Sequence, residues 1–194
     1  MSIRPATDRD HEQIARICLL TGATGKDATG VFSNDITLAD VYATPYLHGP
    51  GGFCLVWDVD GEARGYVLGT HDTRAFQEWF TAEWWPSRAP LHPQRTDGDS
   101  WLIPEAENPA RTLIRDLDSY PAHLHIDLLP DQQGRGAGRA LIEAACELAT
   151  ASGIPGIHLV AEKANAAAQA FYPRVGFAAI DEDETTVTFG RRLA

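Results

Sequence analysis

Leu124-His-Ile-Asp-Leu-Leu-Pro-Asp-Gln-Gln-Gly-Arg-Gly-Ala-Gly-Arg-Ala-Leu-Ile142 reads as a strand, a loop and a helix in succession. Leu124, Ile126 and Leu128 alternate with His125, Asp127 and Leu129, the period of a strand buried on at least one face, and Pro130 ends it. Gly134, Gly136 and Gly138 follow. Without a Cβ at these positions backbone N–H groups can approach an anion, and the helix starting near Ala137 points its positive end at the same spot. Alternate glycines weaken strand and helix alike and show no packing return in the sequence, so a phosphate seat is their simplest use.

Dinucleotide folds and P-loop enzymes also set glycines before a helix. The dinucleotide pattern comes directly after the first strand of its domain, whereas this loop comes late in the chain. A second glycine-rich run, Thr21 to Gly30, has too few residues between Gly22 and Gly25 for a P-loop. It also has Asp27 where magnesium needs Ser or Thr, and a helix rather than a strand before it.

A chain of 194 residues suffices for one domain with a sizeable core, and 44% hydrophobic with 22% charged residues fits a soluble globular protein. The net charge of −11 argues against non-specific nucleic-acid binding, which needs basic patches, and favours cationic small molecules or basic peptides. The opening Met1-Ser-Ile-Arg-Pro5 has no apolar leader and no run reaches a membrane span. A cytoplasmic protein without a membrane partner is expected. Cys18, Cys54 and Cys146 are widely spaced within apolar patterns, as buried thiols rather than a disulfide framework.

Outward from the central stretch, Ser2 to Ala6 fits a first strand, and Asp8 can cap a helix whose Ile14, Ile17 and Cys18 share a face before Gly22 stops it. Asp35 to Tyr42 fits a short helix. Phe53 to Asp58 and Ala63 to Thr70 read as a hairpin around Asp60-Gly61. Residues 72–119 read as a Trp- and Pro-rich helical insert within a single domain spanning 1–194. Phe76, Trp79 and Phe80 have helical spacing there, and Asn108-Pro109 predicts the cap and first turn of a second helix carrying Leu113, Ile114 and Leu117. Trp84, Trp85 and Trp101 either hold the insert down as a satellite core or line a pocket or a homodimer contact. Downstream, a helix over 138–152 buries Leu141, Ile142, Ala145 and Leu148, and Ile157 to Ala161 is the next parallel strand. Asn165 can cap a helix that places Tyr172 two turns on, and strands over 178–181 and 186–191 follow.

Gln133-x-x-Gly136-x-Gly138 after a strand ending in Leu-Leu-Pro, the opening Ile3-Arg-Pro-Ala-Thr-x-x-Asp10 and the run Phe171-Tyr172-x-x-x-Gly176-Phe177 together resemble the GNAT superfamily of acyl-CoA-dependent N-acetyltransferases. The resemblance implies an α/β (α+β) fold: a mixed, mostly antiparallel sheet of six to seven strands, splayed at its centre, with helices on both faces. Within the superfamily, Tyr120-Pro-Ala-His-Leu-His-Ile-Asp-Leu128 and the Phe-Tyr run look most like the acetyltransferase-like C-terminal domain of eukaryotic O-GlcNAcase and its free-standing bacterial relatives. The eukaryotic domain departs from the glycine loop and this chain keeps it, which implies that acetyl-CoA can still bind. By the same resemblance, N–H groups of Gln133, Gly134, Arg135, Gly136, Ala137, Gly138 and Arg139 cradle the pyrophosphate. Backbone groups of Leu128 and Leu129 pair with the pantetheine arm, and one of them polarises the thioester carbonyl. Asn165 bonds the pantetheine or phosphate region, Ala168 belongs to the same donor wall, and Tyr172 stands near the sulfur. The Thr21 to Gly30 run then reads as a mobile loop at the edge of the acceptor site.

Acetyl transfer to an amine needs a neutral amine, a stabilised oxyanion and a proton for the leaving thiolate. Asp127, on the strand beside the cleft, is the candidate base, since apolar walls raise a carboxylate's pKa toward neutrality. Its structural alternative is a pairing with an arginine such as Arg174. His125 and His123 share its strand face and offer a proton shuttle. A His-x-His pair can also bind a metal, but no third His or Cys lies nearby in sequence and no metal is expected. Tyr172 is the candidate general acid. Cys146, inside a helix, argues against an acetyl-cysteine and for direct attack in a ternary complex. The expected activity is transfer of acetyl from acetyl-CoA to a primary amine of a small molecule, peptide or protein. The alternative is a pseudo-acetyltransferase that binds CoA, a peptide or a protein without turnover.

Overall fold

The computed structural model describes residues 1–193. β1 (Ser2–Pro5) leads into α1 (His11–Thr21), and α2 (Thr37–Tyr42) follows a long loop. The hairpin of β2 (Gly52–Val59) and β3 (Glu62–Thr70) turns at Asp60 and Gly61, whose φ angles of 54° and 92° are the left-handed pair that a type I′ turn requires. α3 (Thr73–Trp79), a π-helical turn over Phe80–Trp84 and α4 (Trp85–Arg88) form one helical run, and α5 (Asp97–Glu107) completes the helices before β4 (Ala122–Leu128). Then come α6 (Ala137–Ala151), β5 (Gly156–Glu162), α7 (Ala166–Phe171), β6 (Ala178–Glu182) and β7 (Thr186–Arg192).

The strands form one seven-stranded sheet in the order β1-β2-β3-β4-β5-β7-β6. Every neighbouring pair is antiparallel except β4 and β5, which run parallel and pair only at Ala122↔Ile157 and His123↔His158. From Leu124 onward these two central strands part. The sheet is thus mixed, mostly antiparallel and splayed at its centre. One face carries α1, α2 and the 73–107 helices around Ile14, Tyr46, Leu68, Phe76, Phe80 and Leu102. On the other, α6 and the segment through Phe177 pack Leu141, Ile142, Tyr172 and Val175 against Leu124, Ile157 and Phe189.

Several local expectations are corrected. The second helix of the 72–119 region lies at Asp97–Glu107, upstream of Asn108-Pro109, because Thr96 and Asp99 form a reciprocal capping box there. Asn108 closes that helix, and its side chain accepts from the Ala110 N–H in a turn. Leu113 is 39% exposed, so the expected apolar face never forms. At the N-terminus the cap falls on Thr7 and not on Asp8, and Asp10 closes it by accepting from both the backbone N–H and the hydroxyl of Thr7. Leu148 is 37% exposed, at the edge of the face that α6 buries. No helix of the described residues is long and apolar enough to cross a membrane.

Asp40 ties the tryptophan-rich helices down. Its carbonyl accepts from Trp84 Nε1 at 2.8 Å and its carboxylate pairs with buried His92 at 2.9 Å, while Trp85 stacks on Phe80 and His92. Trp84 and Trp85 are therefore core residues. Trp101, 50% exposed, stands on the wall of the central cleft.

Candidate active site

The parting of β4 and β5 opens a cleft of about 960 Å³, lined by both strands, the C-terminal end of α1, Tyr42, the 111–115 loop and the start of α7. One end of β4 feeds the glycine loop. Gly134 and Gly136 have φ of 71° and 88°, a conformation costly for any residue with a Cβ, and a Cβ added to either would meet nothing. The strain there serves no packing. Gly138 differs, since a Cβ there would approach Phe171 Cζ at 3.2 Å and Leu128 Cδ1 at 3.4 Å, which is the packing return the sequence did not show. Gly136 caps α6, so the N–H groups of Ala137, Gly138 and Arg139 have no intrahelical acceptor and point at the loop. Exposed Arg135 and Arg139 flank them, Arg139 donating to the Arg174 carbonyl at 2.7 Å. Free donors, a helix N-terminus and two guanidinium groups suit a pyrophosphate.

Along β4 the hydrogen bonds alternate sides. Leu129 donates its N–H to Arg64 of β3 at 3.1 Å, and its carbonyl accepts from the Gln132 N–H at 2.9 Å. Its N–H is therefore committed within the protein, and its carbonyl keeps one lone pair. By the alternation, the N–H groups of Leu128 and Ile126 face the gap where β5 has left. Gln133 Nε2 donates to the Leu128 carbonyl at 3.0 Å and holds the strand end. Across the gap Asn165 caps α7 with Oδ1 on the Ala168 N–H at 3.0 Å, which leaves its amide NH₂ uncommitted, and both residues line the cleft.

Asp127 lies midway along the cleft. Its partner is Tyr66, directly opposite on β3, whose hydroxyl donates to Oδ2 at 2.6 Å, and no ion pair links it to Arg174 or any other described residue. Burial raises the Asp127 carboxyl to about 6, against the pull of the Tyr66 hydrogen bond. At neutral pH it is mostly ionised yet basic enough to accept a proton. Tyr172 faces the same cleft from a pocket of Phe171, Phe177 and Phe189. Burial first, then the charge of Asp127, hold its phenol above the usual tyrosine range, so it is fully protonated.

The histidines form a directed chain. Thr73 donates its hydroxyl to the Pro121 carbonyl at 2.6 Å, so its oxygen accepts from His123 Nδ1 at 2.9 Å. Burial, then the neighbouring His158, His125 and Arg111, keep His123 neutral, which leaves Nε2 to accept the Tyr46 hydroxyl at 2.7 Å. Tyr46 has then spent its proton, and its oxygen accepts from His125 Nε2 at 2.9 Å. His125, lowered to about 3 by burial and by Arg111, is neutral too, with its Nδ1 lone pair left for the cleft. A neutral imidazole that accepts at Nδ1 and donates at Nε2 is compatible with the shuttle role expected of it. His158 follows the same logic. Its Nδ1 donates to the Tyr120 carbonyl at 2.8 Å, and burial keeps the ring neutral against the carbonyls of Tyr120, Thr112 and Ala122.

Arg111 is the group that sequence reasoning missed altogether. Its guanidinium stacks over Phe80 at 4.3 Å and lies 5.4 Å from the Tyr42 ring centroid, and Nε and Nη2 are buried without an acceptor among the described residues. Cation–π contact returns about 1 kcal/mol, short of the several kcal/mol it costs to desolvate a charge. Tyr66, Tyr46 and Thr73 were likewise missed, because each reaches the site through strand register or tertiary packing. The Thr21 to Gly30 run does border the cleft, and Thr24 donates to Glu162 at the end of β5 at 3.0 Å. Cys18 also lines it, its thiol pushed well up by burial and then by the charge of Asp127, and buried Cys146 is pushed up to about 11.

Residues 27–177 match the model of the acetyltransferase (GNAT) family. A mycothiol acetyltransferase of Jonesia denitrificans is 27% identical over 200 residues, covering 92% of this chain, which spans 60% of that relative's length. The solved structure of SsHAT is 37% identical with a TM-score of 0.90, covering 100% of this chain and 98% of that one. The fold is shared with a GCN5-related N-acetyltransferase from Kribbella flavida, at TM-score 0.60 and 17% identity over 99% and 97% of the two chains. It is also shared with a PaiA N-acetyltransferase from Thermoplasma acidophilum solved in complex with coenzyme A, at TM-score 0.57 and 13% identity over 99% of each.

Proposed function

Because the chain belongs to the GNAT family of acetyltransferases, we propose that it transfers acetyl from acetyl-CoA to a primary amine, by direct attack in a ternary complex. The observation that carries this reading is one cleft holding both an anion seat for the donor and a carboxylate tuned to about 6. Acetyl-CoA supplies an activated acetyl group. The N–H groups around Gly134 to Arg139 hold its pyrophosphate, the free edge of β4 at Ile126 and Leu128 pairs with its pantetheine, and the Asn165 amide bonds it from the other side.

Asp127 takes the proton that the amine must lose, and the Leu128 N–H steadies the developing oxyanion. Tyr172 returns a proton to the thiolate. Asp127 and Tyr172 are coupled, since the Asp127 charge holds the phenol proton on. Once Asp127 is protonated that hold is released, and Tyr172 becomes the better acid at the moment a proton is needed. Free-standing relatives of the O-GlcNAcase C-terminal domain remain the branch this chain resembles most in its Tyr120 to Leu128 run.

Calorimetric titration with acetyl-CoA, followed by CoA-release assays over an amine panel, tests the reading. Micromolar binding with amine-dependent release is expected. Binding without release from any amine would instead favour the pseudo-acetyltransferase, and no binding at millimolar acetyl-CoA would overturn both.

A further inference from the structure

Resting on the acetyl-transfer reading above, we infer that the acceptor is an amine that also bears a carboxylate, and that the guanidinium of Arg111 holds that carboxylate at the inner end of the cleft. The two unpartnered nitrogens, Nε and Nη2, are the parallel donors of the side-on edge of a guanidinium, the edge that grips a carboxylate through two hydrogen bonds. Around the guanidinium stand Phe80, Tyr42, His123, His125 and the Val41 carbonyl, and the charge of Glu105 reaches Tyr42 from the same side. No carboxylate of the described residues forms an ion pair with Arg111, although Glu105 lines the same cleft. A cation left without a counter-ion inside a protein of net charge −11 is a costly arrangement that an anionic ligand removes. Arg111 lines the cleft and its Nη1 donates to the Val41 carbonyl at 3.4 Å, while Nε and Nη2 are shielded from solvent, so in the proposed complex the side chain has to turn for this edge to meet the anion.

The remaining groups complement the amine of the same molecule. His125 Nδ1 is an acceptor on the cleft wall, fixed in that state by Tyr46. Along β4 the order is Arg111 beside His123 and His125, then Asp127, then Leu128 and the glycine loop. Carboxylate, amine and thioester would lie in that order. Such a ligand differs from the cationic partner that net charge alone suggests, because recognition here rests on one guanidinium rather than on the charge of the whole surface.

The test is a set of matched acceptors: amino acids, their primary amides, the corresponding alkylamines and aminoalkylphosphonates. They are assayed with wild type, Arg111→Met, Arg111→Lys and Glu105→Gln, and acetyl-CoA affinity is measured for each protein. Wild type should prefer the amino acid over its amide by about 30-fold or more in kcat/KM. Arg111→Met should erase that preference while keeping acetyl-CoA affinity within about 3-fold, Arg111→Lys should restore part of it, and Glu105→Gln should leave it intact. Equal rates for amino acids, amides and alkylamines in wild type would overturn the inference without touching acetyl transfer, and that arm needs no variant to fold. A preference retained in Arg111→Met, or a preference for the phosphonate, would also overturn it. Should wild type bind acetyl-CoA yet acetylate no amine, the acetyl-transfer reading fails and this inference falls with it.

Discussion

Asp127 is held in a state that favours chemistry over stability. Its carboxyl sits at about 6 in the folded protein against an ordinary 3.8, so the native state binds the proton more tightly than the unfolded chain does. Stability therefore falls as pH rises through the window from about 4 to about 6, and the cost persists above it. Asp127→Asn, which still accepts from Tyr66, should be more stable than wild type at pH 8 and no more stable at pH 3, measured by urea denaturation. The same change should lower kcat/KM by about 10²- to 10⁴-fold. Tyr172→Phe should lower kcat about 10²-fold with acetyl-CoA affinity unchanged in calorimetry, since the ring packing of Phe177 and Phe189 survives the loss of the hydroxyl. Asp127 and Tyr172 were readable as candidates because their neighbours in sequence carry family patterns. Tyr66 was not, because only the register Tyr66↔Asp127 across β3 and β4 brings it there. Arg111 was hidden for a similar reason: it follows a helix whose position the sequence reading misplaced.

The elements around the cleft divide into donor seat and acceptor wall. Gly136, left-handed at 88°, caps α6, so Gly136→Ala should cost about 1–2 kcal/mol of stability and weaken acetyl-CoA binding more than it alters the acceptor KM. On the other side, the buried His92–Asp40 pair clamps the tryptophan-rich helices onto α2, beside the Tyr42 that faces Arg111. Asp40→Ala leaves His92 Nε2 and the Thr44 hydroxyl without their shared partner and should cost about 1–3 kcal/mol, lowering Tm by on the order of 5 °C in a thermal melt. The strands, α1, α6 and the hairpin turn were all readable from periodicity and turn residues. The helices between β3 and β4 were readable only in part. Asn108-Pro109 is a strong start signal, yet Thr96 and Asp99 had already closed a capping box upstream, and α5 then tolerates Pro104 within it. Local signals compete, and the one that buries Leu102, Ile103 and Ala106 wins.

At the scale of the molecule, function follows from a sheet that fails to close. β4 and β5 share only two register pairs, and that failure creates both the free strand edge for the donor and the cleft in which Asp127, Tyr172 and Arg111 meet. The splay was expected from family resemblance alone, since no residue pattern within β4 or β5 announces where two parallel strands will part. Net charge describes the surface as a whole, while Arg111 on the cleft wall forms no ion pair with a described residue. The most direct measurement is the pH dependence of amine-dependent CoA release, in wild type and in Asp127→Asn. Wild-type kcat/KM should climb through an apparent pKa near 6, and the variant should be slower by at least about 10²-fold with that step gone. A wild-type profile flat through that region, or an Asp127→Asn enzyme as fast as wild type, would contradict Asp127 as the base.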